Sequence, residues 1–187
     1  MNKILIIDHY DSFTYNVADL FSGYGSVIVK KYDQIKETNL KNINTVVFSP
    51  GPGHPRDYQA SINIYKKIKN KKKIIGICLG FQLIAYAEGG EIIKQKKIFH
   101  GYQEKVSTYP PSIFYKKFKQ FQSGRYHSLV LKEPFNVDNF FMSMRCSKTS
   151  IPMGIENLDR NIFGFQFHPD SFLTQDGKKL IRTLIQH

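Results

Sequence analysis

The stretch IIGICLGFQLIA, residues 74–85, decides how this chain folds. It opens as a short β-branched apolar run suited to a buried strand and continues as an apolar run of helical character. Between the two stands Cys78, with Gly76 and Gly80 two residues away on either side. A residue held at a sharp strand-to-helix turn has a strained backbone, and neighbouring chain must pass so close that side chains two positions away would clash. Glycines relieve that clash in the Gly-x-Ser-x-Gly elbow of serine hydrolases, and GICLG is the same arrangement with sulfur. A helix starting after Cys78 aims its free amides at the thiol and favours thiolate. The N–H of Leu79 then faces the oxygen of an attacked carbonyl. Taken alone, the pattern is more often a packed cysteine between turn glycines than a nucleophile.

Working outward, KILIID (3–8) reads as a buried strand and DSFTYNVADLF (11–21) as a helix capped by Asp11 or Ser12. SVIVKKY is a second strand, and NTVVFS (44–49) is a third, stopped by PGPG. A helix near Tyr58 to Lys69 leads back to KKIIGI, the strand before Cys78. Strands alternating with helices imply a parallel sheet covered on both faces. After Gly90 the texture changes to short strand-like runs separated by turn residues: GEIIK, EKVST, YHSLVLK, NFFMSMRCS, PMGIENL and NIFGFQFHP. TQDGKKLIRTLIQH closes the chain as an amphipathic helix. The fold class expected is α/β: a single domain over residues 1–187, with a mostly parallel central sheet flanked by helices and added antiparallel strands in the second half.

Composition narrows the function. The 187 residues are 41% hydrophobic and 22% charged, ordinary for a globular chain that builds its own core. The N-terminal apolar run ends at Asp8, too soon for a secretory signal, and no run approaches the ~20 residues of a membrane span. A cytoplasmic location is expected, with no membrane partner. Two cysteines, Cys78 and Cys146, form no Cys-x-x-Cys pair, and no Cys/His cluster has metal-ligand spacing. The net charge of +12 raises the question of nucleic acid, and KKIKNKKK (66–73) is its densest block. The excess is nearly all lysine and comes with no stacking motif, zinc finger or recognition helix, so a solvated helix end and turn is expected, with no nucleic-acid partner. The first βα turn, DHYDSFT, has no glycine, and no Walker loop occurs, so neither NAD nor ATP is expected in this chain.

A cysteine nucleophile needs a base. In FQFHPDS, His168 and Asp170 are two apart in a strand-like run and share a face, so the carboxylate is placed to orient the imidazole. A histidine ending a strand beside an aspartate starting a turn fits these residues equally well. His127 in YHSLV lacks a nearby carboxylate. SPGPGHP (49–55) follows a strand directly; its Pro-Gly steps make a stiff turn, and because Pro52 has no N–H, Gly51 and Gly53 are the available donors. In a parallel α/β sheet this loop and the Cys78 elbow share the C-terminal edge, where sites form.

Together IDHYDSFTYNV, SPGPGHP, GICLGFQ, YHSLV and FQFHPDS resemble, in order and spacing, the class I (triad-type) glutamine amidotransferases over nearly the whole chain. The opening DHYDSFTYN is most similar to the small subunits of anthranilate synthase and 4-amino-4-deoxychorismate synthase. The resemblance implies Cys78 as nucleophile, His168 as general base and Asp170 as orienting acid. It implies Gly51 and Leu79 as oxyanion donors, and Gly51, Pro52, Gly53, Gln82, Ser128 and Leu129 as contacts to L-glutamine. It gives Cys146 no role beyond packing. It further implies a partner: a chorismate-converting synthase subunit that receives ammonia and would carry any magnesium, this chain holding no cofactor. Two residues depart from the family pattern. Asp170 stands where glutamate is usual, which shortens the acid by a methylene, and Phe81 stands where histidine is usual, which implies a packing change. The alternatives are an amidotransferase subunit for another acceptor, such as GMP synthesis, and, in a different class, a basic nucleic-acid-binding module.

Overall fold

The computed structural model describes residues 2–95 and 101–187. Its first half alternates as expected: β1 (Lys3–Asp8), α1 (Thr14–Ser22), β2 (Ser26–Lys31), a one-turn α2 (Glu37–Leu40), β3 (Thr45–Phe48), α3 (Gln59–Ile68), β4 (Lys73–Ile77) and α4 (Leu79–Ala87). The second half supplies β5 (Ile92–Lys94), β6 (Tyr102–Thr108), β7 (Gln120–Arg125), β8 (Leu129–Leu131), β9 (Phe141–Cys146), β10 (Pro152–Asn157), β11 (Ile162–Phe165) and α5 (Gly177–Gln186). One sheet runs β2-β1-β3-β4-β11-β10-β9-β6-β7. It is parallel from β2 to β11 and antiparallel beyond, so β11 joins the two halves. β5 and β8 pair separately as an antiparallel ribbon.

The pleat of β1 assigns the layers. Ile4 and Ile6 face a core shared with Val17 and Phe21 of α1 and Leu180, Ile181 and Leu184 of α5. Leu5 and Ile7 face the opposite core, with Ile62 and Tyr65 of α3 and the apolar residues of α4. Such double burial is why β1 reads as a continuous apolar run rather than an alternation. α4 is buried nearly all round, whereas α5 buries one stripe and exposes Lys178, Lys179 and Arg182.

The structure corrects four details. α1 begins at Thr14, not Asp11. Its N-cap, Phe13, makes no side-chain cap, and Asp11 Oδ1 accepts instead from the N–H of Phe13 at 2.8 Å, a turn that precedes the helix. YHSLVLK is strand only over Leu129–Leu131. NIFGFQFHP leaves the sheet at Phe165, and His168 makes only an isolated bridge to Gly124. β7, with the sequence QFQSGR, is an element the sequence does not announce, because a polar edge strand has no apolar run to mark it. The lysine run covers the end of α3 and the turn into β4. There Lys67 pairs with Glu37, Lys69 with Glu88 at 2.8 Å, and the ammonium groups of Lys72 and Lys73 donate to the carbonyls of Ile43 and Leu184. Among the described residues no helix is long and apolar enough to cross a membrane.

Candidate active site

Cys78 sits between β4 and α4 at φ 52° and ψ −100°, a left-handed φ for a residue with a side chain. Such backbone costs about 1–3 kcal/mol and persists only where its surroundings enforce it. The enforcement is visible. A Cβ on Gly76 would lie 2.4 Å from the carbonyl oxygen of Gly80, and one on Gly80 would lie 2.2 Å from that of Phe48. The two glycines let strand, elbow and helix close on one another. The N–H of Cys78 donates to the Phe165 carbonyl at 2.8 Å, tying the elbow to β11, and its own carbonyl accepts from Gln82 N–H at 3.1 Å. Because α4 starts at Leu79, that residue's N–H belongs to the first turn and has no intrahelical acceptor.

His168 arrives from the other half of the chain. It is 2% exposed, and its ring lies edge-on between Phe13 and Tyr126, with centroids 5.2 and 4.9 Å away. Its N–H donates to the Gly124 carbonyl at 3.1 Å and its own carbonyl accepts from Thr174 Oγ1 at 2.6 Å. Burial works against the imidazolium. Charge interactions and hydrogen bonds with Cys78 and Asp170 outweigh it and raise His168 to about 10. The shortened acid leaves its mark here. His168 Nδ1 and Asp170 Oδ1 are 3.5 Å apart, and neither atom makes a hydrogen bond. The contact is an ion pair rather than a hydrogen bond.

Cys78, Gly51, Pro52, Gly53, Gln82, Ser128 and Leu129, together with Tyr126 and His127, line one cavity of about 160 Å³. Of the other residues expected at the site, Leu79 follows Cys78 at the elbow and His168 lies against it, while Asp170 stands behind His168 and lines a separate cavity with Asn16, Asp19 and Phe172. Gly51 packs against Leu79 and His9 so closely that a Cβ there would meet their side chains at 2.5 and 2.6 Å. Gln82 donates both amide hydrogens inward, to the Leu129 carbonyl and to Gln166 Oε1, each at 3.1 Å. Its own Oε1 is therefore left as an acceptor. A larger groove of about 760 Å³ lies at the opposite ends of the strands, among Asn44, Lys71, Lys73 and Asn161, with no cysteine or histidine in its lining. Among the described residues no three His, Cys, Asp or Glu side chains gather as a metal site would require.

Several participants escape the sequence reading. Gln166 is fully buried, and its Nε2 lies 3.9 Å from Cys78 Sγ. Its spacing of two from His168 is the available signal. Buried His9 fastens the Gly51 loop through Ser49 Oγ at 3.2 Å and Ser61 Oγ at 3.0 Å, and burial lowers it to about 4. Phe13 belongs to DSF yet serves His168. Cys146 is not merely packed, since its thiol donates to Glu104 Oε2 at 3.1 Å. Phe81 is fully buried under Gly164, in the core between α4 and β11.

The chain belongs to the class-I glutamine amidotransferase family, which it matches over residues 5–187. It is 36% identical over 186 residues to anthranilate synthase component 2 of Cyanophora paradoxa, covering 97% of each chain. It is 33% identical to the aminodeoxychorismate/anthranilate synthase component 2 of Bacillus subtilis, covering 98% of this chain and 95% of that one. It is also 33% identical to the bifunctional protein TrpGD of Thermotoga maritima, of whose length it spans 32%. Among solved structures, a putative GMP synthase component from Thermoplasma acidophilum superposes with TM-score 0.86 at 25% identity, over 100% of this chain and 93% of that one.

Proposed function

We propose that this chain is the glutamine-hydrolysing subunit of a synthase that aminates chorismate, giving anthranilate or aminodeoxychorismate. The observation that carries the chemistry is the convergence on one small cavity of Cys78, the Gly51–Gly53 loop, Gln82 and the Ser128–Leu129 backbone, with His168 beside the sulfur. Gln82 Oε1 accepts from the α-amino group of L-glutamine, and the Ser128–Leu129 backbone holds the rest of the amino-acid head. Cys78 thiolate attacks the side-chain amide carbon, and the N–H groups of Leu79 and Gly51 hold the resulting oxyanion. His168 gives its proton to the departing nitrogen, ammonia leaves, and a γ-glutamyl thioester remains. Water, deprotonated by His168, then adds to the thioester carbon. Collapse releases glutamate and restores the thiolate. Asp170 orients the imidazole and stabilises its charge without taking the proton.

The names of the component 2 relatives support the acceptor, and with it, as partner, a large chorismate-converting synthase. The likeness to a GMP synthase component favours a second acceptor, an ATP-dependent synthase. Capturing the partner from native extract and assaying the complex separates the two. With the chorismate-type partner, Cys78→Ser should abolish product formed from glutamine and leave product formed from ammonium salts intact. Product from glutamine surviving that substitution would refute the proposal, and an ATP-dependent partner would transfer the glutaminase to the second acceptor.

A further inference from the structure

Behind the glutamine cavity lies a buried polar chain that the hydrolytic mechanism does not use. Arg125, at the end of β7, is 0% exposed. Its Nε–H donates to His127 Nε2 at 3.1 Å. Its Nη1 donates to Glu104 Oε2 and lies 3.8 Å from Cys146 Sγ, and its Nη2 reaches Gln95 Oε1 at 3.5 Å. A guanidinium only donates, so His127 Nε2 must accept and carries no proton. The proton then sits on Nδ1, which donates to the Leu129 carbonyl at 2.9 Å. The same carbonyl accepts from Gln82 Nε2 at 3.1 Å. One tautomer of one buried histidine thus reaches, through the Leu129 carbonyl of the β5–β8 ribbon, the amide of Gln82 that lines the cavity.

We propose that Arg125 and His127 are positioning residues for substrate: Arg125 fixes the tautomer of His127, and His127 fixes the Leu129 carbonyl that aims Gln82 at the amino-acid head of glutamine. This rests on the glutaminase reading and adds to it a determinant of glutamine affinity outside the nucleophile, base and acid. Burial, and then the charge of Arg125, lower His127 to about 3, so the imidazole stays neutral and the arrangement does not titrate under the conditions of turnover. Glu104 supplies the countercharge. Burial acts to raise it, but Cys146 and Arg125 bring it below the usual carboxylate range.

The test compares two near-isosteric variants. In His127→Asn the amide nitrogen stands near Nδ1 and still donates to Leu129. In His127→Gln the amide oxygen stands near Nε2 and still accepts from Arg125, but the donation to Leu129 is lost. Alkylation of Cys78 in the full chain is followed with a diazoketone analogue of L-glutamine and, separately, with iodoacetamide, which needs no amino-acid pocket. His127→Gln should raise the half-saturating concentration of the analogue about tenfold, since the part-buried Leu129 carbonyl keeps its Gln82 donor but loses the one that holds its direction. His127→Asn should stay within about threefold of wild type, and iodoacetamide rates should change less than about twofold in both. The proposal is overturned if His127→Gln saturates as wild type does, if Asn fails to rescue, or if both reagents slow in parallel, the mark of general disruption. A wild-type chain labelled by iodoacetamide but never saturated by the analogue would remove the glutaminase reading itself.

Discussion

Two buried histidines flank the cavity, and they are tuned in opposite directions. His168 and His127 are 2% and 3% exposed, so loss of water lowers both. His168 faces Cys78 and Asp170, whose charge interactions and hydrogen bonds raise it to about 10; His127 faces the cation of Arg125 and is lowered, by burial and then by that charge, to about 3. The same side chain at the same depth is held protonated on one wall and neutral on the other. The sign of the neighbouring charge decides between them, not burial. The division follows the fold. The protonated imidazole lies where β11 joins the parallel half at Cys78, and the neutral one is tied through Arg125 to β6 and β7 of the antiparallel half.

The largest effect should come from exchanging the roles. His168→Asn should lower ammonia release from glutamine by ~10³–10⁴-fold, whereas His127→Asn should cost less than about threefold, both read as glutamate formed by the assembled complex. Comparable losses would dissolve the distinction. Next, Asp170→Asn removes one of the anions. His168 should then titrate about one pH unit lower by NMR, and ammonia release should fall about tenfold to a hundredfold.

Stability sharpens the contrast through its sign. His127 binds its proton below 6.5 when unfolded but only near 3 when folded, so its contribution is present above 6.5 and lost as pH falls towards 3. His168 has the opposite slope. Its contribution is complete below 6.5 and lost as pH rises towards about 10. Denaturant midpoints for the His127→Asn and His168→Asn variants, measured against wild type from about pH 3 to about pH 10, should diverge at opposite ends of the range. The smallest effect belongs to Asp170→Glu. Restoring the methylene should close the 3.5 Å separation to a hydrogen bond and raise turnover by less than about threefold, with His168 titrating slightly higher.

The wall that carries Cys78 and the Gly51 loop was legible in the sequence and the wall that carries Arg125 and Glu104 was not. GICLG announces its elbow because close backbone approach leaves only glycine at residues 76 and 80. The Gly51 loop announces itself by its Pro-Gly steps; His168 and Asp170 do meet, but through a turn beyond the strand that ends at Phe165 rather than on the shared strand face their spacing suggests. The elbow and the Pro-Gly steps are local signals, each written within a few residues. The link from Arg125 to Glu104 crosses two strands, and β7 carries it in a polar sequence with no hydrophobic period to mark it. Cys146, His9 and Phe13 likewise owe their partners to tertiary neighbours. DSF reads as the start of a helix, whereas the chain uses its turn to press Phe13 on His168.

The most direct measurement is the NMR titration of His168, through its ring Cε1–H, in wild type and in Cys78→Ser. A midpoint near 10 in wild type, falling by at least about one pH unit when the sulfur anion is removed, is the expected result. A midpoint near 6.5 in both chains would contradict the pairing of thiolate and imidazolium on which the site depends.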